Sequence, residues 1–277
     1  MGAKTCLVAH VQGDARRILA ERPTLDEAAT ADFVASLFPD ARFGAPQPAD
    51  LSCTWLEDKR VVAGCFPGLR IFVSPLVAVE SAEDVTPAFI ATQGTTILHA
   101  MHSVSDWLAF GVWQDGVLVR WLDVSPDAGV VTDIGEHLPF EKPYWDGAHP
   151  AVDPAEEPNG YPLPFHPLEL GEAALRAFFG FQIEGLVDAT LLEPETIPML
   201  RFGDPVRARA RTGPAVPMGA IALGAIAVPC LAGAIAILCL PSPDAPAWLT
   251  MVGVALLVAG AWMGVACVGS IRDAARP

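Results

Sequence analysis

Two uncharged runs toward the C-terminal end set the strongest limit on what this chain can become. No Asp, Glu, Lys or Arg occurs from Thr212 to Pro243, and after Asp244 none occurs from Ala245 to Ile271. Met218–Leu240 and Trp248–Val268 each reach the ~20 apolar residues that cross a hydrocarbon core. Between them, Pro241-Ser242-Pro243-Asp244-Ala245-Pro246 cannot continue a helix. Helices buried in a water-soluble core usually keep a polar stripe, whereas here Ala, Gly, Ile, Leu and Val run all the way round. The expectation is a two-helix transmembrane hairpin over 217–269, with the lipid bilayer as its solvent. Pro229 removes one backbone donor in mid-span and predicts a kink. Gly260 and Gly264, with Gly253 one heptad earlier, let helices approach closely. Packing within the hairpin and homodimerisation through it would both use that face.

Basic residues fix the expected orientation. Arg201, Arg207, Arg209 and Arg211 precede the first run, Arg272 and Arg276 follow the second, and the turn carries only Asp244. Lys and Arg close to a span stay on the cytoplasmic side. The chain is therefore expected to be a multi-pass cell-membrane protein with both termini cytoplasmic. An Arg-rich linker over 204–216 and a short tail over 270–277 complete that plan. The alternating arginines of the linker can also touch anionic headgroups.

Residues 1–203 are enough for one sizeable domain with its own core. Residues 1–200 hold 29 acidic and 11 basic side chains, a net charge of −18. Such a domain repels nucleic acid and anionic lipid alike, and its acidity serves either solubility or a basic partner surface. The apolar run Cys6–Ala9 is too short for a secretory signal, in keeping with a cytoplasmic domain. Met1-Gly2 is a poor myristoylation start because position 6 is Cys6. The six cysteines form no C-x-x-C pair, so free thiols are expected, without disulfide or structural zinc.

Local signals divide this domain into elements. Thr5–Val11 reads as a buried strand ended by Gly13, and Asp14 can cap a helix through Glu21. Thr24 with Glu27 predicts a capping box and a second helix to about Leu37. Pro39–Pro48 reads as loop. Strands are expected over 60–66 and 69–73 around Pro67-Gly68, and a short helix over Glu83–Ala91. Ile97–His102 is extended. Asp106–Gln114 and Val117–Val124 flank Asp115-Gly116, the dipeptide that type I′ turns prefer. A two-residue loop sets Trp113 opposite Leu118, Val112 opposite Val119, Phe110 opposite Trp121 and Trp107 opposite Val124, with Gly111 leaving room for Arg120. Both faces of that hairpin are largely apolar, as in a sheet covered on both sides. The expected fold is a layered α+β domain with a mostly antiparallel or mixed sheet. Ser125–Pro167 is long and irregular, with Phe140, Tyr144, Trp145, Tyr161 and Phe165 as aromatic anchors. Leu170–Phe181 reads as an amphipathic helix with Leu175, Phe178 and Phe179 inward, and Thr196–Phe202 as a last strand.

Several blocks together resemble an uncharacterised family. They are the opening MGAKT with the following QGD, Phe66-Pro67-Gly68, MHSVSDWLAFGVWQDGVLVR from Met101, SPDAGVVTDIGEHLPFEKPYW from Ser125, and YPLPFHPLELGEAALRAFFGFQIEG from Tyr161. The chain is similar over roughly residues 1–203 to an actinobacterial domain-of-unknown-function family. The resemblance implies a shared single-domain fold and makes the hairpin an addition to it. It brings no activity, cofactor or catalytic residue.

Chemistry has three places to reside. His99 and His102, with Asp106, would share a metal only on a helix, since on a strand positions 99 and 102 face opposite ways. His102 then reads as a polar residue at a strand end. The irregular stretch gathers Asp127, Asp133, Glu136, His137, Glu141, Tyr144, Trp145, Asp146, His149 and His166. These either line an acid–base cleft or are the solvated charges of a loop held by its aromatic rings. Asp14, at the end of the first strand, suits a ligand site or a helix cap equally. Gly2-Ala3-Lys4-Thr5 lacks the glycines of a phosphate-binding loop, and no other catalytic signature occurs. No metal or cofactor is implied. Three functions stay open. They are a membrane-held module acting through protein partners, an enzyme using His102, Asp106 and the 133–149 loop, and a small toxin, immunity or stress protein in which the hairpin matters most.

Overall fold

The first strand lies at the middle of the sheet, and the rest of the domain is laid on either side of it. In the computed structural model, residues 2–57, 60–152, 161–185 and 188–203 are described. β1 (Lys4–Val11) pairs antiparallel with both β4 (Leu69–Val73) and β5 (Thr95–His102). Among the described residues, nine strands join one sheet. To these three are added β2 (Gln47–Asp50), β3 (Val61–Phe66), β6 (Trp107–Gln114), β7 (Val117–Ser125), β8 (Gly129–Ile134) and β9 (Pro198–Phe202). The order is β2-β9-β3-β4-β1-β5-β6-β7-β8, and each neighbouring pair runs antiparallel. This resolves the mostly antiparallel or mixed expectation in favour of antiparallel, with few helices.

The central strands are buried on both faces, which is why they read as continuous apolar runs. α1 (Ala15–Ala20) and α4 (Pro167–Phe179) pack together on one face. α2 (Glu27–Leu37) covers the other, where Phe33 meets His10 and Phe72 edge-on. Asp14 caps α1 by accepting from the Arg17 amide. Gly180 ends α4 in the left-handed conformation that favours glycine.

Four expectations need correction. α2 starts at Glu27, not Thr24. Asp26 accepts from the Ala29 amide at 2.9 Å, while its own amide is held by Cys65 O. A cap anchored to β3 outcompetes the Thr24–Glu27 box. Glu83–Ala91 is not a helix but two 3₁₀ turns, Ala82–Asp84 and Pro87–Phe89. Pro87 removes an amide and holds Thr86 out of the helical region, at φ −54° and ψ 123°.

The β6–β7 hairpin keeps Trp113 opposite Leu118, but a bulge at Val119 then shifts the register by one. Val112 therefore faces Arg120, Gly111 faces Trp121, Phe110 faces Leu122, and Leu108 faces Val124. Gly111 makes room for the Trp121 ring rather than for Arg120. A Cβ there would lie 2.6 Å from Trp121 and 2.7 Å from Trp113. Finally, the irregular stretch hides a strand, β8, whose β-branched run lies between Gly129 and Gly135.

Among the described residues no helix is long and apolar enough to cross a membrane. The expected hairpin over 217–269 and its flanking linker and tail lie outside the described residues. The chain divides into two units, Met1–Ala208 and Arg209–Pro277, and every described residue belongs to the first.

Candidate functional site

The two histidines nearest a metal pattern are separated by the strand that carries them. His99 and His102 lie on opposite faces of β5. His99 is fully buried, with Nδ1 accepting from the Thr5 hydroxyl at 2.7 Å and Nε2 donating to Gly171 O at 3.0 Å. These bonds tie β1, β5 and α4 together. Burial holds its pKa down at about 4, so the ring is neutral. His102 packs edge-on against Trp55 at 5.2 Å and accepts from the Val104 amide. Asp106 sits in the β5–β6 turn at positive φ, and its Oδ2 lies 3.7 Å from His166 Nε2. Among the described residues no His, Cys, Asp and Glu cluster has the geometry to hold a metal.

The bulge at Val119 turns Arg120 into the face that carries Phe110 and Leu122. Its guanidinium is buried 5.8 Å from the Phe110 ring. Nε donates to Glu141 Oε1 at 2.9 Å and Nη2 to Oε2. Nη1 donates to Asp133 Oδ1, to Trp121 O and to Ile134 O. Glu141 is wholly buried, and its Oε1 also accepts from the Leu138 amide. Asp133 continues the chain to His137 Nε2 at 3.1 Å, and that ring stacks on Trp145 at 4.7 Å. Burial alone would raise the Asp133 carboxyl, but hydrogen bonds from Arg120 and His137 bring it below its ordinary value. Here Asp133, His137, Glu141 and Trp145 fasten the irregular stretch to the sheet.

Other members of that stretch gather at a cleft of about 460 Å³. Tyr144, in the short helix α3 (Lys142–Trp145), donates to Glu169 O and stacks on His149 at 4.3 Å. His166 caps α4, Nδ1 accepting from the Leu168 amide, and its Nε2 side faces Asp106. Glu172 is nearly buried and accepts from the Ile183 and Glu184 amides. Burial raises its pKa, against the lowering effect of those two amides. Arg176 donates to Gln182. The free acid–base capacity of the cleft is therefore His149, Glu169 and Glu184, whose side chains make no hydrogen bond among the described residues. Asp127, Glu136 and Asp146 are exposed and lie outside this cleft.

The structure thus brings Tyr144, His149 and His166 together, with Asp106 beside His166. It keeps His102, His137 and Asp14 apart from them. Sequence reasoning missed Glu172 as a clamp and Arg120 as a hub. A lone Arg inside the apolar run VLVRWLDV was the available signal, because a buried charge requires partners. It also missed the pairing of His10 with Arg70 across β1 and β4.

The profile of a family of unknown function, DUF6928, matches residues 5–202, and the chain belongs to that family. No curated protein and no solved structure matches the chain.

Proposed function

From membership of a family without an assigned activity, we propose that this chain is a non-enzymatic interaction module. In this reading its acidic domain is held at the inner face of the cell membrane by residues 217–269 and docks a partner polypeptide along β8. The carrying observation is the contrast between the two edges of the sheet. β2 is four residues long, contains Pro48 and follows Pro46, so that edge is blunted against further pairing. β8 is six residues long, lacks proline, and leaves Val130, Val131 and Ile134 at 43–52% exposure. Its one charge, Asp133, turns inward to Arg120. Asp127 and Glu136 flank the edge, so the partner is an extended, alternately apolar segment bearing Lys or Arg at its ends. A second copy of the chain would bring like charges together there.

A photo-crosslinker placed in the full chain at Val131, and separately at Pro48, tests this in cells. The Val131 site should give one discrete adduct, to a basic extended segment of another protein. That adduct should disappear in T132P, while the Pro48 site gives none. Equal adducts from both edges, an adduct between two copies, or recovery of the full chain in the soluble fraction without detergent would overturn the reading.

An enzymatic reading has one specific support, the unpaired His149 and Glu169 beside Tyr144 in a walled cleft. It would place the chemistry on His149 and not on His102.

A further inference from the structure

A second cleft, of about 490 Å³, opens where the end of β1 meets the start of β4. Neither the family nor the reading above gives it a role. His10 and Arg70 are directly paired across the two strands and lie on the face that α2 covers. The Arg70 guanidinium rests 5.6 Å from the centre of the Phe33 ring, and His10 meets the same ring edge-on at 5.5 Å. Phe66, Leu37 and Ile90 supply further apolar wall.

Two features of this wall look for a ligand. Among the described residues, Arg70 is the only charged one lining the cleft, and it forms no ion pair. Asp26 and Glu27 lie along the hollow on its other side without pairing with it. An unpaired guanidinium held on an aromatic face is notable in a domain where acidic side chains far outnumber basic ones. The second feature is His10. Its Nε2 donates to Phe89 O at 2.8 Å, which makes Nε2 the protonated nitrogen of the neutral ring. Burial lowers its pKa, with Arg70 adding to that effect, so the neutral form prevails. Nδ1 is then an acceptor with no hydrogen-bond partner among the described residues.

We propose that this cleft binds a small organic carboxylate. The carboxylate sits on Arg70, a hydroxyl or amide N–H donates to His10 Nδ1, and an apolar or aromatic body lies against Phe33 and Phe66. Such sites are mostly apolar, with a few polar groups that fix orientation. A phosphate alone would use Arg70 but leave the apolar wall and the imidazole acceptor unmatched. The cleft stands independently of docking along β8.

The test is calorimetric titration of the detergent-solubilised full chain with phenyllactate, which carries a carboxylate, a 2-hydroxyl and a ring. Saturable 1:1 binding in the micromolar to low-millimolar range is expected. R70M should weaken it at least tenfold. Phenylpropanoate, which lacks the hydroxyl, should bind several-fold more weakly than phenyllactate, and H10F should abolish that difference. Arg70 is exposed, so the thermal transition of R70M should match the parent and exclude misfolding. Absence of saturable phenyllactate binding, undiminished binding to R70M, or equal binding of the uncharged phenyllactamide would overturn the proposal. Inorganic phosphate competing as well as phenyllactate would show a plain anion contact and overturn it too.

Discussion

The Arg120–Glu141–Asp133 cluster allows a graded prediction, because its three charged members differ in access to water. Arg120 and Glu141 side chains are 1% and 0% exposed, whereas Asp133 is 31% exposed. Removing Arg120 strands Glu141 in the interior with one remaining bond, from the Leu138 amide. An orphaned buried charge of this kind costs about 3–5 kcal/mol, and R120M should fall in that range. E141Q keeps an acceptor for the guanidinium but loses the charge, so about 2–3 kcal/mol is expected for a buried charge-assisted bond. D133N exposes its change to solvent and should cost about 1 kcal/mol or less. The double variant R120M/E141M replaces both charges by apolar groups and should recover most of the R120M loss. Urea unfolding of the full chain followed by tryptophan fluorescence measures all four, with Trp121 adjacent to the site. Additive losses in the double variant, or a D133N cost equal to that of E141Q, would refute the hub assignment.

Acid should act on this fold through two groups of opposite sign. His99 is pushed from 6.5 to about 4, so its contribution is present above pH 6.5 and lost as pH falls toward 4, by about 3 kcal/mol. Asp123 is pushed up to about 6, chiefly by burial, so its contribution runs the other way and stability rises as pH falls from 6 to 3.8. Asp123 accepts only from Trp107 Nε1, and its Oδ2 has no partner. D123N should therefore stabilise the domain by about 1–2 kcal/mol at pH 7.5 and steepen the loss between pH 6 and 4. Urea midpoints across that range check both, and a D123N chain destabilised at pH 7.5 would contradict the assignment. At Gly111, an added methyl meets two Trp rings, so G111A should cost about 1–3 kcal/mol. G44A meets nothing within 4 Å and should change the melting transition by less than about 0.5 kcal/mol.

How far the sequence could be read follows from which physical signals are local. Asp14 and Asp115-Gly116 act within a few residues, so the first helix cap and the β6–β7 turn were legible. The positions of β1, β3 to β7 and β9 were legible for the same reason, since Gly-Pro punctuation and apolar runs are short-range, whereas the two edge strands β2 and β8 were not. The bulge at Val119 was not, because it adds one residue without changing the apolar character of either face. That single insertion decides the site, since without it Arg120 would lie opposite Gly111 and point away from Phe110. The run VLVRWLDV nevertheless contained the demand that the bulge answers, for an Arg buried in a strand must find its counter-charges elsewhere. Asp133 and Glu141 come from 13 and 21 residues further on. The long stretch after β7 is thus ordered by a charge requirement set within β7. Two of its carboxylates, Asp133 and Glu141, are anchors first, and His149 is the group of the stretch left free in the cleft beside Tyr144.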